Sequence, residues 1–257
     1  MMPTFVSDGL ELAYTDTPAA TAETGPPVIL VHGFASSALV NWKQPGWVSL
    51  LSQHGRRVIT LDNRGHGTSA KPATPDAYAT PLMAGDALRL LAQLGIRQAD
   101  VIGYSMGARI SAFMALQARD TVRRLVLGGL GIRLVDGVGL PMGIADAMEA
   151  SRLDDLTDPM QRMFRAFAER TGANRPALAA CIRGSRQVLT TAQIAEITCP
   201  VLVAVGTLDE VAGDGHALAR LFIHGQALDI LGRGHNLAVG DKNFKAAVVE
   251  FLNSQLS

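Results

Sequence analysis

The sequence has few of the features that define several classes of protein. Only two cysteines occur among 257 residues, Cys181 and Cys199, and they form neither a disulfide framework nor a C-x-x-C site. No apolar run approaches the ~20 residues that a membrane helix needs. Residues Met1–Thr4 lack the basic and apolar stretches of a signal peptide. We therefore expect two free thiols in a cytoplasmic protein that has no membrane partner.

An excess of charge of one sign is also missing. Lys+Arg and Asp+Glu number 23 each, so no general field would attract the chain to nucleic acid or to an anionic membrane. No cluster of His, Cys, Asp and Glu has the spacing of metal ligands. We expect no nucleic-acid partner, no metal and no cofactor, and the sequence does not predict an oligomeric state.

The chain does contain a regular alternation of short apolar runs and helical patterns. It opens with a hairpin signal, in which Asp8-Gly9 separates Thr4–Ser7 from Leu10–Tyr14. Six further runs are rich in Val, Ile and Leu: Val28–Val31, Val58–Leu61, Val101–Tyr104, Leu125–Leu127, Val201–Val205 and Ala227–Leu231. Helical patterns lie between and after them, at Trp47–His54, Leu82–Leu94, Met106–Ala118, His216–Phe222 and Phe244–Leu256. This alternation predicts an α/β protein with a largely parallel, buried sheet.

One long interval breaks the alternation. Between Leu130 and Cys199 no convincing strand occurs, and helical patterns lie at Ile144–Leu153, Pro159–Arg170 and Pro176–Arg186. A stretch of this size would make a poor core by itself. We therefore expect residues 131–199 to form a helical cap inserted between the sixth and seventh strands. Residues 1–130 and 200–257 would form the core domain.

The sharpest local motif is the G-x-S-x-G sequence Gly103-Tyr104-Ser105-Met106-Gly107, which follows a predicted strand and precedes a predicted helix. A sharp reversal from strand to helix strains the serine and crowds the backbone on both sides, which is why glycines flank it. The serine hydroxyl is then exposed at the carboxyl end of the strand. An inert serine in a Gly-rich turn is the alternative at this point.

A second motif, His32-Gly33-Phe34, directly follows the strand Val28–Val31. Acyl transfer builds negative charge on a carbonyl oxygen, and two fixed backbone N–H donors can stabilise that charge. The N–H of Phe34 is the most plausible donor from this turn, and the N–H of Met106 would be the other. We expect His32 itself to pack or to cap a loop rather than to take part in catalysis.

Taken together, His32-Gly33, Asp62–Ser69 and Gly103–Gly107 resemble the α/β-hydrolase superfamily, in particular its compact, cap-bearing esterases and lactonases. The resemblance covers nearly the whole chain and is weakest in the predicted cap. It implies an eight-stranded, mostly parallel sheet that is opened by antiparallel strands and flanked by helices. We interpret the charged turn Asp62–Ser69 as structural.

The family has its catalytic acid after the next-to-last strand and its histidine after the last. In this chain Asp209 follows the next-to-last apolar run and His235 follows the last. The resemblance therefore implies Ser105 as nucleophile, His235 as general base and Asp209 as the residue that orients the base. The neighbouring Glu210 is a less favoured alternative to Asp209.

The sequence also suggests which side chains form the wall of a substrate pocket. Its expected wall residues are Phe34, Trp42, Tyr104, Met142 and Met163. A stripe at helical spacing, formed by Met160, Met163, Phe164 and Phe167, favours a helix packed on the core domain. A role for part of this stripe in an adaptable pocket wall is the alternative.

Residues 131–199 hold eight Arg against eight Asp and Glu, which gives no case for a strongly charged substrate. We expect a small-molecule partner, an uncharged carboxylic ester of small to medium size. Hydrolysis of a lactone, a thioester or a carbon–carbon bond by the same residues stays open. A ligand-sensing protein on the same scaffold is less favoured. Epoxide hydrolases and haloalkane dehalogenases of this fold carry Asp where Ser105 stands, so both are disfavoured.

Overall fold

The first structural feature along the chain is the predicted hairpin. Asp8 and Gly9 both adopt positive φ, 49° and 74°, so the chain reverses within two residues.

The computed structural model describes residues 2–137 and 139–254. Its eight strands are β1 Thr4–Ser7, β2 Leu10–Thr17, β3 Val28–Val31, β4 Val58–Leu61, β5 Ala99–Tyr104, β6 Val122–Gly128, β7 Val201–Gly206 and β8 Gly225–Ile230.

These strands form one sheet in the order β1-β2-β4-β3-β5-β6-β7-β8. The pairs β1/β2 and β2/β4 are antiparallel, and all the other pairs are parallel. Strands β3, β4, β5 and β7 are buried along their whole length, as their apolar composition predicts. The predicted fold class is confirmed. Only Leu231, which is 75% exposed, was wrongly assigned to the last strand.

Helices cover both faces of the sheet. They are α1 Trp47–Gln53, α2 Thr80–Gln93, α3 Met106–Gln117, α4 Arg133–Asp136, α5 Gly143–Glu149, α6 Pro159–Arg170, α7 Arg175–Gly184, α8 Thr191–Ala195, α9 Gly215–Ala219, α10 His235–Ala238 and α11 Lys242–Asn253. A π-helical turn lies at Leu39–Lys43, and 3-10 turns lie at Pro75–Tyr78 and Leu153–Asp155. No helix within the described residues combines the length and the apolar character that crossing a bilayer requires. Leu256, the predicted end of the last helix, lies outside the described residues.

Two apolar cores hold the layers together. On one face α2, α3 and α9 pack against the sheet, for example through Leu90, Ile110 and Leu218. On the other face α1 and α11 pack against it through Trp47 and Phe244, whose rings meet edge to face at 5.2 Å. The central strands are therefore covered by apolar side chains on both faces.

Residues 131–199, which we call the helical segment, run from the end of β6 to the start of β7 and contain α4 to α8. Helix α6 has the predicted bounds, because Asp158 caps it by accepting the N–H of Gln161 (2.9 Å) and proline follows the cap. Helix α8 was not predicted, although its capping box of Thr190 and Gln193 is a recognisable signal. Buried residues of the segment, such as Leu178, join the same core as α2 and α3.

The two cysteines are free thiols, as predicted. Cys181 is buried on α7, and Cys199 is half-buried just before β7. Burial raises the pKa of each thiol to about 12. Neither sulfur is therefore a thiolate at neutral pH, and neither is suited to nucleophilic chemistry.

Candidate active site

Ser105 occupies the sharp turn between β5 and α3. Its backbone has φ 56° and ψ −116°, a conformation that side chains other than glycine rarely adopt. The Ser105 N–H donates to the carbonyl of Gly128 (2.7 Å), and the Ser105 carbonyl accepts from the N–H of Arg109 (3.2 Å). These bonds to β6 and α3 hold the strained residue in place, at the carboxyl end of the central strand.

The two glycines of the serine motif are required by close packing rather than by positive φ. A Cβ atom on Gly103 would lie 2.5 Å from Ser111 Oγ, and one on Gly107 would lie 2.6 Å from the carbonyl oxygen of His32. Only glycine allows helix α3 to approach strands β5 and β3 so closely. The crowding that the motif predicts is therefore present on both sides of Ser105.

Side chains from the ends of three strands meet at this point. His235 Nε2 lies 2.9 Å from Ser105 Oγ, and His235 Nδ1 lies 2.8 Å from Asp209 Oδ2. The Asp209 side chain is fully buried, and its Oδ1 accepts the N–H groups of Val211 (2.9 Å) and Ala212 (3.0 Å). With Asp209 fixed in this way, Nδ1 of His235 donates to it and Nε2 is free to accept the serine proton.

Tyr104 contacts His235 and helps to hold its backbone in place. Its hydroxyl donates to the backbone carbonyl of His235, and the two rings are 5.7 Å apart. Burial raises the pKa of Tyr104, so the phenol stays protonated and remains a donor. Glu210, the alternative acid, is exposed and makes no hydrogen bond to His235 among the described residues.

Two backbone donors next to the serine are unused. The N–H groups of Phe34 and Met106 have no hydrogen-bond partner within the described part of the chain. Met106 is the first residue of α3, where a free N–H follows from helix geometry. Asn41 Oδ1 accepts the N–H of Gly33 (3.0 Å), and a Cβ on Gly33 would lie 3.4 Å from the Cβ of Ser105. The loop that carries Phe34 is thus anchored beside Ser105, where its free N–H can stabilise an oxyanion.

His32 and Asp62 have structural surroundings. The buried His32 donates from Nδ1 to the Gly33 carbonyl (2.8 Å) and accepts at Nε2 from the Asn63 N–H (3.0 Å). Burial lowers the pKa of His32, so the ring is neutral. Asp62 accepts the N–H of Ala38 (2.8 Å) and connects that loop to its own turn. These bonds support the interpretation that both residues hold loops together.

Two cavities meet at Ser105, and Phe34 also lines both of them. The first encloses about 270 Å³, and we call it the arginine cavity; its lining includes Met106, Arg109, Arg133, Met160 and Glu210. The second encloses about 240 Å³, and we call it the aromatic cavity; its lining includes Asn41, Tyr104, Phe164, Phe167 and His235. A substrate bound at Ser105 can therefore extend in two directions with different surroundings.

The expected pocket residues of the core domain fall in two groups. Phe34 lines both cavities, and Tyr104 lines the aromatic cavity. The assignment of Trp42 to the pocket is wrong, because its side chain is fully buried in the core and packs edge to face on Trp47, with ring centroids 5.9 Å apart. The apolar core beneath β3 takes up a large aromatic side chain that its position in the sequence could not distinguish from a pocket wall.

In the helical segment, the two methionines expected in the pocket are replaced by their neighbours. Met142 and Met163 are 47% and 37% exposed, and neither is among the described residues that line the two cavities. Met160 lines the arginine cavity, while Phe164 and Phe167 line the aromatic cavity. The spacing of the stripe predicts a helix, but it does not specify which face of α6 turns towards Ser105.

Three polar residues of these cavities were missed in the sequence. Arg109 follows Ser105 by one helical turn, and this spacing was the only signal for it. Arg133 stands at the start of the helical segment, where nothing distinguishes it from the other arginines. Asn41 Nδ2 is buried without a partner among the described residues, although Oδ1 of the same side chain is used.

The chain is similar to proteins of one fold family. A family model described as "alpha/beta hydrolase fold" matches residues 26–175, which is more than half of the chain. Epoxide hydrolase 3 from Siraitia grosvenorii is 35% identical over 107 residues, which cover 42% of this chain and 33% of that protein. An sn-1-specific diacylglycerol lipase from Mus musculus is 38% identical over 105 residues, which cover 40% and 32%. The match thus spans about a third of the length of these curated relatives.

A solved structure extends the similarity to the whole chain. A hydrolase from Pseudomonas aeruginosa is 26% identical, and the match covers 98% of each chain with a TM-score of 0.78. The agreement therefore includes the helical segment, which the family model covers only in part.

Proposed function

This chain belongs to the α/β-hydrolase fold family, and from that premise we propose that it hydrolyses carboxylic esters of small to medium size through an acyl-enzyme on Ser105. One observation carries the proposal, the continuous hydrogen-bonded series of Asp209, His235 and Ser105. A serine hydroxyl is a weak nucleophile unless a base accepts its proton, and this series supplies the base together with the group that orients it.

In the first half of the reaction, Ser105 Oγ attacks the ester carbonyl while His235 Nε2 accepts the hydroxyl proton. The carbonyl oxygen becomes an oxyanion, which the free N–H groups of Phe34 and Met106 would stabilise. His235 then donates the same proton to the leaving alcohol, and the carbon–oxygen bond breaks to give the acyl-enzyme. Asp209 stabilises the imidazolium that exists between these proton transfers.

In the second half a water molecule takes the place of the alcohol. His235 accepts a proton from the water as its oxygen attacks the acyl carbon, and then returns a proton to Ser105 as the acid leaves. In this proposal residues 131–199 act as a cap, and residues 1–130 with 200–257 form the catalytic core. The support for a cap is that Arg133, Met160 and Phe167 line the cavities at Ser105 together with residues of the core.

Other acyl substrates use the same groups. Lactones, thioesters and vinylogous diketones also form tetrahedral intermediates at a carbonyl carbon, and hydrolysis of the diketones breaks a carbon–carbon bond. The site therefore does not discriminate chemically against these substrates. A ligand-sensing protein with no turnover is the candidate from another class. The unused N–H donors beside Ser105 argue against it, because ligand binding alone does not need an oxyanion site.

Epoxide hydrolysis is the activity in the name of one relative, and the residue at the nucleophile position argues against it here. Attack of a serine hydroxyl on an epoxide carbon would give an ether, which water does not cleave. A carboxylate nucleophile would give an ester, which water does cleave. Position 105 holds serine, so the acyl-transfer reaction is the one that can turn over.

The direct test is covalent labelling of Ser105 together with turnover of p-nitrophenyl esters. A fluorophosphonate should label the wild type at one site per chain, and peptide mapping should identify Ser105. The Ser105→Ala variant should lose labelling and lose at least ~10³-fold in kcat. Ser151→Ala, which removes an exposed serine of the helical segment, is the matched control and should behave as the wild type. Equal turnover in wild type and Ser105→Ala would overturn the proposal.

A further inference from the structure

The arginine cavity has an unusual balance of charge for an ester pocket. Arg109 and Arg133 line it, and Glu210 is the one acidic residue among its described lining residues. Arg186 lies at its rim, since a Cβ on the lining residue Gly139 would be 3.7 Å from the Arg186 Nη1 atom. Positive groups therefore outnumber the negative one directly beside the serine.

Arg109 is the most confined of these cations. It is 5% exposed, and its Nη atoms donate to four backbone carbonyls, those of Arg133 (2.6 Å), Gly137 (2.7 Å), Gln187 (3.0 Å) and Leu134 (3.4 Å). Carbonyl oxygens satisfy the N–H groups but do not neutralise the formal charge.

No carboxylate among the described residues pairs with Arg109, Arg133 or Arg186. Burial and the neighbouring Arg186 lower the pKa of Arg109 to about 10, which is the expected effect of a positive charge that lacks a counter-ion. Arg109, Arg133 and Arg186 therefore bring unpaired positive charge to the arginine cavity.

Several acids of the helical segment pair with arginines away from the cavity. Asp146 and Glu149 pair with Arg183, and Glu169 pairs with Arg165. Equal numbers of acidic and basic residues in the segment therefore do not mean a neutral pocket, because these pairs leave Arg133 and Arg186 without a carboxylate partner among the described residues.

We propose that the arginine cavity binds a carboxylate on the substrate, so that the enzyme acts on esters of dicarboxylic acids in which one acid group is free. This inference rests on the proposed ester hydrolysis and replaces the sequence-based expectation of an uncharged substrate. The acyl chain lies in the arginine cavity with its free carboxylate near Arg109 and Arg133, and the alcohol part lies in the aromatic cavity. Ser105 precedes α3 and Arg109 lies one turn into this helix, so both residues line the same cavity.

A purely structural role for these arginines makes a different prediction. Arg109 ties the helical segment to α3 through its four carbonyl bonds, and its replacement would disturb the fold whatever the substrate. Arg133 is exposed, and only its carbonyl takes part in this network. Arg133 is therefore the residue at which electrostatic binding can be separated from structural support.

The test compares an ester that has a free carboxylate with the same ester in which that carboxylate is methylated. Mono-p-nitrophenyl adipate carries a free carboxylate, and its methyl-capped analogue does not; rates with Ser105→Ala give the background to subtract. We expect wild-type kcat/KM to favour the anionic ester by about tenfold at low salt, and the preference to shrink as salt screens the charges. Free adipate should compete with the anionic ester and raise the melting temperature of Ser105→Ala.

Substitutions then locate the effect. Arg133→Gln should lower the anionic preference about fivefold, Arg133→Glu should reverse it, and Glu210→Gln should increase it. Arg97→Gln is the matched control, because it removes an exposed arginine at the opposite, amino-terminal edge of the sheet, and it should leave the preference unchanged.

The outcomes separate the two proposals. If Ser105 hydrolyses both esters with equal kcat/KM and Arg133→Gln leaves the ratio unchanged, the carboxylate site is wrong while ester hydrolysis stands. If Arg133→Gln lowers both rates equally and lowers the melting temperature, the arginine is structural and the carboxylate site is again wrong. If neither ester is hydrolysed and Ser105 is not labelled, the proposed ester hydrolysis itself fails.

Discussion

The two cavities at Ser105 have one nucleophile in common but differ in almost everything else. The arginine cavity is bounded by α3 and by the start of the helical segment, and its charged lining residues are Arg109, Arg133 and Glu210. The aromatic cavity is bounded by α6 and by α10, which begins at His235, and it contains Phe164 and Phe167. Under the proposed function, this difference suits a substrate with two unlike ends that are joined by the bond Ser105 would attack.

The comparison also shows where specificity resides. In the proposed reaction Ser105, Asp209 and His235, which follow strand ends, act in the same way whatever flanks the reacting carbonyl. Residues 131–199 contribute about half of the lining of the arginine cavity, including Arg133, and two residues of the aromatic cavity, Phe164 and Phe167. Changes in the helical segment should therefore alter the choice of substrate, whereas changes at the strand ends should alter the rate with every substrate.

The largest expected effect tests what the two cavities have in common. In Asp209→Asn, the amide oxygen can still accept from Val211 and Ala212, which turns the NH₂ group towards His235. His235 Nδ1 must then accept, so Nε2 carries the proton and cannot act as base. We expect kcat to fall by about 10⁴ for the anionic and the capped adipate ester alike. Asp214→Asn, at an exposed helix cap, is the control, and loss of activity on only one ester would contradict a shared mechanism.

A smaller and selective effect is expected in the aromatic cavity. Phe167→Ala removes a ring that lines this cavity alone, so monophenyl adipate should lose about five- to tenfold in kcat/KM relative to monoethyl adipate. The preference for a free carboxylate should not change. Ala166→Ser, at an exposed position of α6 that lines neither cavity, should leave both ratios as in the wild type. An equal loss with both alcohols would break the proposed division between the two cavities.

The smallest effect concerns the wall between the cavities. The ring of Phe34 rests edge to face on His66, with centroids 5.9 Å apart, and burial lowers the pKa of His66 to about 3. The unfolded chain, with an ordinary histidine, binds a proton at higher pH than the folded protein does. The free energy of unfolding therefore falls as pH decreases from about 6.5 towards 3, by at most ~1.4 kcal/mol per pH unit for this residue.

Urea unfolding at several pH values between 7 and 4.5 checks this dependence. His66→Asn keeps a donor for the Arg64 carbonyl but cannot titrate, so its stability should depend less steeply on pH than that of the wild type. His224→Asn, at an exposed position, should keep the wild-type slope. Identical slopes in all three proteins would show that His66 is not held neutral by burial.

The fold was predictable because its signals are local. Each buried strand is a run of branched apolar residues, and the Asp8-Gly9 turn and the serine motif carry their own conformational requirements. The meeting of Ser105, Asp209 and His235 could be expected from family order, since parallel strands end at one edge of the sheet.

The pocket was less predictable because a side chain's environment depends on tertiary contacts. Trp42 lies close in sequence to the loop of Phe34, yet it points into the core on Trp47. Met163 and Met160 belong to one helical stripe, yet only Met160 lines a cavity among the described residues. The charge of the pocket was hidden for a related reason, since composition counts acids and bases without showing which of them are paired.

The bonds of Arg109 also set a mechanical limit on the helical segment. Its guanidinium group donates to the carbonyls of Arg133 and Gly137, near the beginning of the segment, and of Gln187, near its end. Both ends of the segment are thereby attached to α3, the helix that follows Ser105. A rigid swing of the whole segment would break these bonds together and leave a buried cation without acceptors. Substrate entry is therefore expected to use movements of residues between these attachment points rather than a swing of the whole segment.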